Sequence, residues 1–284
     1  MTSKLLLFGA TGKMGTAVNE ALGKVFEIEN VSSKDIDVAD LDAVAALVAD
    51  TVPDVVVNAA AYMGVDACET DPGKAFRINA LFPRRLAVMG REMGYVVVHF
   101  STDAVFSGGL GRPLSEDDEP DPVNVYGAGK YAGDVLIRDA TARHYVFRLP
   151  VLFGENPKSS QFIEKLIKRA RAGERRFQVA RDVVNSPSYS LDIASTLSRA
   201  LKEEWAYGLY HVANEGQASL HELITEVMAG LGLEVTVEPV ACKIFPSKGA
   251  RNTFTPMRSV KIKPLRPWKE ALSEYLDRIT GGGV

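Results

Sequence analysis

Cysteine is almost missing from this chain: 284 residues contain two, Cys68 and Cys242. They stand far apart, in no metal-ligand or redox spacing. That excludes a disulfide framework and a thiolate metal centre, and predicts free thiols in a reducing compartment. Histidine is scarce too, and His99, His144, His211 and His221 form no ligand-like cluster, so no metal is assigned. An excess of either charge is also lacking. Lys and Arg number 33 against 36 Asp and Glu, a net charge of -3, which argues against nucleic acid or an anionic membrane as partner. No apolar run approaches the ~20 residues that span a bilayer, and no leader-like segment precedes the first apolar run. A soluble, cytoplasmic protein is expected.

What the chain does have is apolar material in short, regularly spaced runs. Hydrophobic residues make up 46% of the sequence, enough for one sizeable core with a smaller satellite. Strands are predicted at Leu5 to Phe8, Phe26 to Val31, Val55 to Val57, Tyr95 to Phe100 and Tyr145 to Leu149. Helices are predicted at Met14 to Leu22, Asp40 to Ala49, Pro72 to Met93 and around Tyr126. Strands apolar on both faces and separated by helices mean a parallel sheet covered on both sides. This is an α/β, Rossmann-like doubly wound fold, whose ligands bind beyond the carboxyl ends of the strands. Residues 1–150 would form the NAD(P)-binding domain. Residues 151–284 would form mainly a smaller substrate lobe, with some segments returning to the first domain. In that lobe the pattern predicts a helix from Gln161 to Ala172, strands near Arg176, Gly208 and Val235, a helix from Leu220 opened by a Ser219/Glu222 capping box, and a closing helix from Pro267.

Two motifs carry chemistry. Gly9-Ala10-Thr11-Gly12-Lys13-Met14-Gly15 follows the first strand directly. Glycines there let the backbone approach a pyrophosphate held by the amides of a helix start, although a tight turn alone would also use them. Tyr126 and Lys130 stand four apart, on one helical face. A phenol with a pKa of about 10 becomes a usable acid when an ammonium stabilises its phenolate. Taken alone, that spacing better suits a solvated helix face.

These motifs, with Ser101-Thr102-Asp103 between them in order, resemble the extended short-chain dehydrogenase/reductase family. Within it the chain is most similar to dTDP-4-dehydrorhamnose reductases and related sugar-nucleotide reductases, through Pro53 to Ala61, Val65 to Glu69, Ile78-Asn79, His99 to Phe106 and Val123 to Gly127. The resemblance implies catalysis by Thr102, Tyr126 as proton donor, and Lys130, which would bind the nicotinamide ribose and lower the Tyr126 pKa. It implies cofactor contacts from Gly9, Thr11, Gly12, Lys13 and Met14 at the pyrophosphate, Asp37 and Val38 along the adenine, and Ala59, Ala60 and Ala61 behind the ribose and nicotinamide. Asn79 would support the strand carrying Thr102, and Asp103 and Arg251 are assigned to substrate. Asn58 or Asn79 could instead tie strand ends, and Asp103 could cap a turn.

Cofactor preference rests on Val31-Ser32-Ser33-Lys34-Asp35: the serines and lysine favour NADP(H), while Asp35 keeps NAD(H) open. The expected reaction is reduction of a nucleotide-activated 4-keto-6-deoxy sugar. The alternatives are a nucleotide-sugar epimerase or dehydratase, or a non-catalytic NADP-binding regulatory subunit. The last is suggested by Arg148-Leu149-Pro150-Val151, where the reductases carry a different run with an aromatic residue and where the regulatory β subunit of methionine adenosyltransferase is more similar. Ala17 and its neighbours lack the carboxylate of a magnesium-linked dimer interface, so that metal is not carried over and a homodimer is left open.

Overall fold

The computed structural model describes residues 2–155 and 161–281. Its centre is a six-stranded sheet, every pair parallel. The strands are β1 (Lys4–Phe8), β2 (Glu27–Val31), β3 (Val55–Asn58), β4 (Val96–Thr102), β5 (His144–Leu149) and Gly208–His211. Their spatial order, from Gly208–His211 through β5, β4, β3 and β1 to β2, reverses direction between β1 and β3. A doubly wound sheet opens its ligand crevice at that reversal.

Alternation along each strand divides the core. Leu5, Leu7, Val57, Val98 and Phe147 face one side with α1 (Lys13–Leu22), while Leu6, Phe8, Val56 and Val97 face the other beneath α2 (Leu41–Thr51). Each such side chain stabilises the fold by about 1.5–3 kcal/mol through burial, so the sheet is a rigid floor for the loops at its carboxyl edge. A separate core joins Phe153, Phe177, Tyr189, Leu223, Trp268 and Leu272. There Arg176–Ala180 pairs in parallel with Thr236–Val240, and the Ser219/Glu222 capping box forms as expected.

Two elements differ from the sequence reading. The strand Gly208–His211, expected among the lobe elements, is the sixth strand of the central sheet beside β5. Its Leu209, Tyr210 and His211 are buried, as a sheet packed on both sides requires. The helix expected over Pro72 to Met93 is three pieces: α4 (Pro72–Phe76) after α3 (Val65–Thr70), a π-turn Arg77–Leu81, and α5 (Phe82–Met93). Pro83 has no N–H for the carbonyl one turn back, so the backbone widens there. The carbonyl of Asn79 then faces Gly133, where a Cβ would come within 2.3 Å of it.

Candidate active site

The chain turns out of β1 at Gly9, whose φ of +80° favours glycine. A Cβ there would lie 2.6 Å from the Ala59 carbonyl carbon, and one on Gly15 would lie 2.3 Å from the Gly9 oxygen. The turn containing Thr11 therefore rests against Ala59 and Ala60 at the end of β3, across the strand-order reversal. Gly12 begins α1 without a side-chain acceptor for its first amides. Backbone N–H groups and no Cβ in the way are what a pyrophosphate needs, so the turn fits a dinucleotide.

Lys13 does not follow its neighbours toward that cradle. Its ammonium is buried, donates to the Leu152 carbonyl at 2.9 Å and pairs with Glu164 at 2.9 Å. Met14 packs into the core. Beyond β2, Asp35 accepts from the N–H and the hydroxyl of Ser32, each at 2.7 Å, which engages its carboxylate locally. Asp37 accepts from the Ala39 amide at 2.9 Å, and Val38 packs on the α2 side of the core. Asn79 holds both the N–H and the carbonyl of Tyr62 at 2.9 Å. It thus fastens the loop containing Ala61 rather than the strand carrying Thr102.

Thr102 ends β4. Its hydroxyl donates to Asp103 at 3.1 Å and accepts from Ala104 N–H at 3.1 Å. Asp103 also accepts from Thr255 at 2.5 Å, and burial raises its carboxyl to about 6. Tyr126 lies in the first turn of α6 (Val125–Ala140). Gly127 makes the approach: a Cβ there would sit 2.1 Å from the Ala104 oxygen, so only glycine lets the helix start settle on the turn after Thr102. Burial pushes the Tyr126 phenol up to about 12, opposed by a hydrogen bond with Thr102. Lys130, one turn on, faces His99 at 3.1 Å and the Phe100 carbonyl at 2.7 Å rather than the phenol. Burial lowers its pKa to about 8.

The start of α6 is held from several directions. Asn124 caps it by accepting from Gly127 N–H at 2.8 Å, Glu69 accepts from Val125 N–H at 2.9 Å, and Asn124 donates to the Ala250 carbonyl at 2.9 Å. Asn252 donates to the Phe106 carbonyl. Arg251, between those contacts, is exposed and donates to the Pro246 carbonyl at 3.1 Å, so its guanidinium does not join Thr102, Tyr126 and Lys130.

The whole arrangement lies within the reach of one protein family: residues 3–280 match the RmlD substrate-binding domain. The chain belongs to that family. It is 33% identical over 279 residues to the spore coat polysaccharide biosynthesis protein SpsK of Bacillus subtilis, covering 96% of this chain and 97% of that one. It is 31% identical to a dTDP-4-dehydrorhamnose reductase of Mycolicibacterium smegmatis, over 99% of this chain and 87% of that one. The solved dTDP-4-dehydrorhamnose reductase of Bacillus anthracis, in complex with NADP, superposes with a TM-score of 0.92 at 27% identity, covering 98% of this chain and 100% of that one.

Sequence reasoning left out Glu69, Asn252 and Thr255, whose partners are remote in the chain, and Asn124, whose cap on Gly127 is local but whose hold on Ala250 is not. It also left His99 without a role. A signal for His99 was present: it is adjacent in register to Asn58, and each interrupts an apolar strand with a side chain that must find a partner when buried. Among the described residues no group of His, Cys, Asp and Glu could hold a metal, and no helix is long and apolar enough to cross a membrane.

Proposed function

We propose that this protein is an NADPH-dependent reductase of a nucleotide-activated 4-keto-6-deoxy sugar of the dTDP-4-dehydrorhamnose type, acting in polysaccharide biosynthesis. The observation that carries it is the meeting of Thr102 and Tyr126 at the carboxyl edge of β4, two strands from the glycine turn. When bound there, a reduced nicotinamide supplies hydride. This chain's residues supply the rest. The hydroxyl of Tyr126, and that of Thr102 once its proton turns from Asp103, would be aimed at the carbonyl oxygen, where negative charge grows. Burial keeps Tyr126 a phenol at neutral pH, so its proton is in place to complete the alcohol. Lys130 would hold the ribose hydroxyls, and the backbone of Gly9, Thr11 and Gly12 the pyrophosphate. Asp103 and Arg251 keep their assignment to the substrate side, and residues beyond 151 would supply most of its binding surface.

The engagement of Asp35 with Ser32 leaves Ser33 and Lys34 for a 2′-phosphate, which favours NADPH over NADH. In the Arg148 run, Leu149, Pro150 and Val151 leave out the aromatic residue of the reductases, so the sugar would be held by other residues of the lobe. The Arg148 guanidinium is buried on Asp134 and does not reach toward a sugar. The reading includes a cytoplasmic location. A homodimer is an open expectation that light scattering resolves.

The test is loss of NADPH absorbance when dTDP-4-keto-6-deoxy sugar is added. Steady oxidation at catalytic protein concentration is expected. Tight NADPH binding without turnover across a panel of keto sugars overturns the reading in favour of a binding subunit, and a changed sugar without net oxidation points to an epimerase or dehydratase.

A further inference from the structure

Beneath the start of α6, three polar side chains stand in series. Asn58 ends β3, His99 lies beside it in β4, and Lys130 reaches down from α6. Their exposures are 1%, 0% and 1%. Every hydrogen bond they make must therefore be made within the protein.

Donors and acceptors in this series can be assigned without ambiguity. The Ala60 amide donates to Asn58 Oδ1 at 3.0 Å. A backbone N–H has no other capacity, so Asn58 is oriented with Nδ2 toward His99 Nδ1, 3.0 Å away. Nδ2 is again only a donor. Nδ1 must then be bare, and the single proton of a neutral ring sits on Nε2. That nitrogen is 3.1 Å from Lys130 Nζ. An ammonium has no lone pair and would oppose N–H to N–H across this gap. An amine accepts from Nε2–H and still donates to the Phe100 carbonyl, 2.7 Å away. All these contacts are satisfied together in one direction: Asn58 to His99, His99 to Lys130, Lys130 to Phe100.

We propose that Asn58 and His99 are positioning residues that fix this direction and hold Lys130 as a hydrogen-bond-accepting amine in the resting protein, so that Lys130 takes up its proton when it is drawn away from His99. The reductase reading enters only in the later use of Lys130; the direction of the series stands apart from it.

The charged and titratable groups around Lys130 fit this state. Asp134 comes from α6 itself, His99 from β4, and Arg148 from β5 by way of Asp134; β3 contributes the uncharged Asn58. Asp134 draws Lys130 toward the ammonium, yet that carboxylate is bound to Arg148 at 3.0 Å. Burial acts the other way, is the larger effect and brings Lys130 to about 8; the Nε2–H of His99 facing Nζ at 3.1 Å disfavours the ammonium further. His99 is held neutral by its own complete burial.

The decisive measurement is the ring tautomer of His99. Protein with 15N-labelled histidine, free of cofactor and substrate, gives long-range proton–nitrogen correlations that separate the two neutral tautomers and the imidazolium. Only four histidines contribute, and His99→Gln assigns the signal. The expected result is a proton on Nε2 alone, at every pH in the neutral range. A proton on Nδ1, or on both nitrogens, overturns the proposal.

A second variant reverses the series. Asn58→Asp offers one carboxylate oxygen to Ala60 N–H and the other to Nδ1–H, which turns the lone pair of Nε2 toward Lys130 and favours the ammonium. The tautomer should switch, and the pH above which NADPH affinity falls should rise by about 1–3. A folded Asn58→Asp protein with an unswitched ring overturns the proposal; if that variant does not fold, the wild-type spectrum decides. A correct spectrum in a protein that oxidises no NADPH with any keto sugar leaves the series intact and defeats the reductase reading alone.

Discussion

Arg148 Nε lies 3.0 Å from Asp134 Oδ2, with 3% and 0% of the two side chains exposed. A pair so deeply buried adds little net stability, but leaving one member alone is costly. Arg148→Met should therefore destabilise the protein by about 3–5 kcal/mol, read from urea unfolding at neutral pH. Adding Asp134→Leu should recover most of that loss. If Arg148→Met costs less than about 1 kcal/mol, the pair is not the electrostatic unit the packing implies.

Tyr126→Phe removes the phenol and keeps its ring. Reduction should fall by roughly two to four powers of ten, the usual worth of a general acid. NADPH affinity, followed by fluorescence titration, should stay within about twofold, because the cradle is made of backbone on the other side of the crevice. Turnover at the parental rate would remove Tyr126 from the mechanism.

Lys13→Met separates two roles for a lysine in a glycine turn. The contacts to Leu152 and Glu164 predict a structural role: unfolding free energy should drop by about 3–5 kcal/mol as Glu164 loses its partner. Cofactor affinity, by contrast, should change little. A variant of normal stability that has lost NADPH binding would assign Lys13 to the phosphates instead.

Asp103 gives the protein a pH signature. Its folded-state pKa is raised to about 6, above an ordinary 3.8, so the native state binds this proton more tightly than the unfolded chain does. Stability contributed by Asp103 is thus gained as pH falls from about 6 toward 4 and lost as pH rises through the same window. Asp103→Asn should flatten that part of the stability profile and narrow the difference between melting at pH 7 and at pH 4. An unchanged slope would show that Asp103 titrates normally.

The sheet was legible because its strands are apolar on both faces, a pattern that only helices on either side can satisfy. The glycine turn and Tyr126 were legible for a related reason. Gly9, Gly15 and Gly127 stand where any Cβ would collide with backbone, so they mark close approach in the sequence itself. The π-turn was not, since Pro83 near a helix start reads as an ordinary first-turn proline until the chain before it is seen to be helical as well. Lys13 was misleading because its partners, Leu152 and Glu164, arrive through tertiary packing that no local spacing encodes. The tie of Asn79 to Tyr62 escaped for the same reason.

The grip of residues 250–252 on the helix that carries Tyr126 bears on how the protein is made. A chain leaves the ribosome from its amino end, so strands β1 to β5 and the glycine turn are synthesised well before Ala250 and Asn252 exist. The nucleotide cradle is made before the proton donor, and the proton donor is locked in place only by segments that follow it in the chain. Until then a nascent chain would hold the means to capture a cofactor without a fully fixed acid beside it.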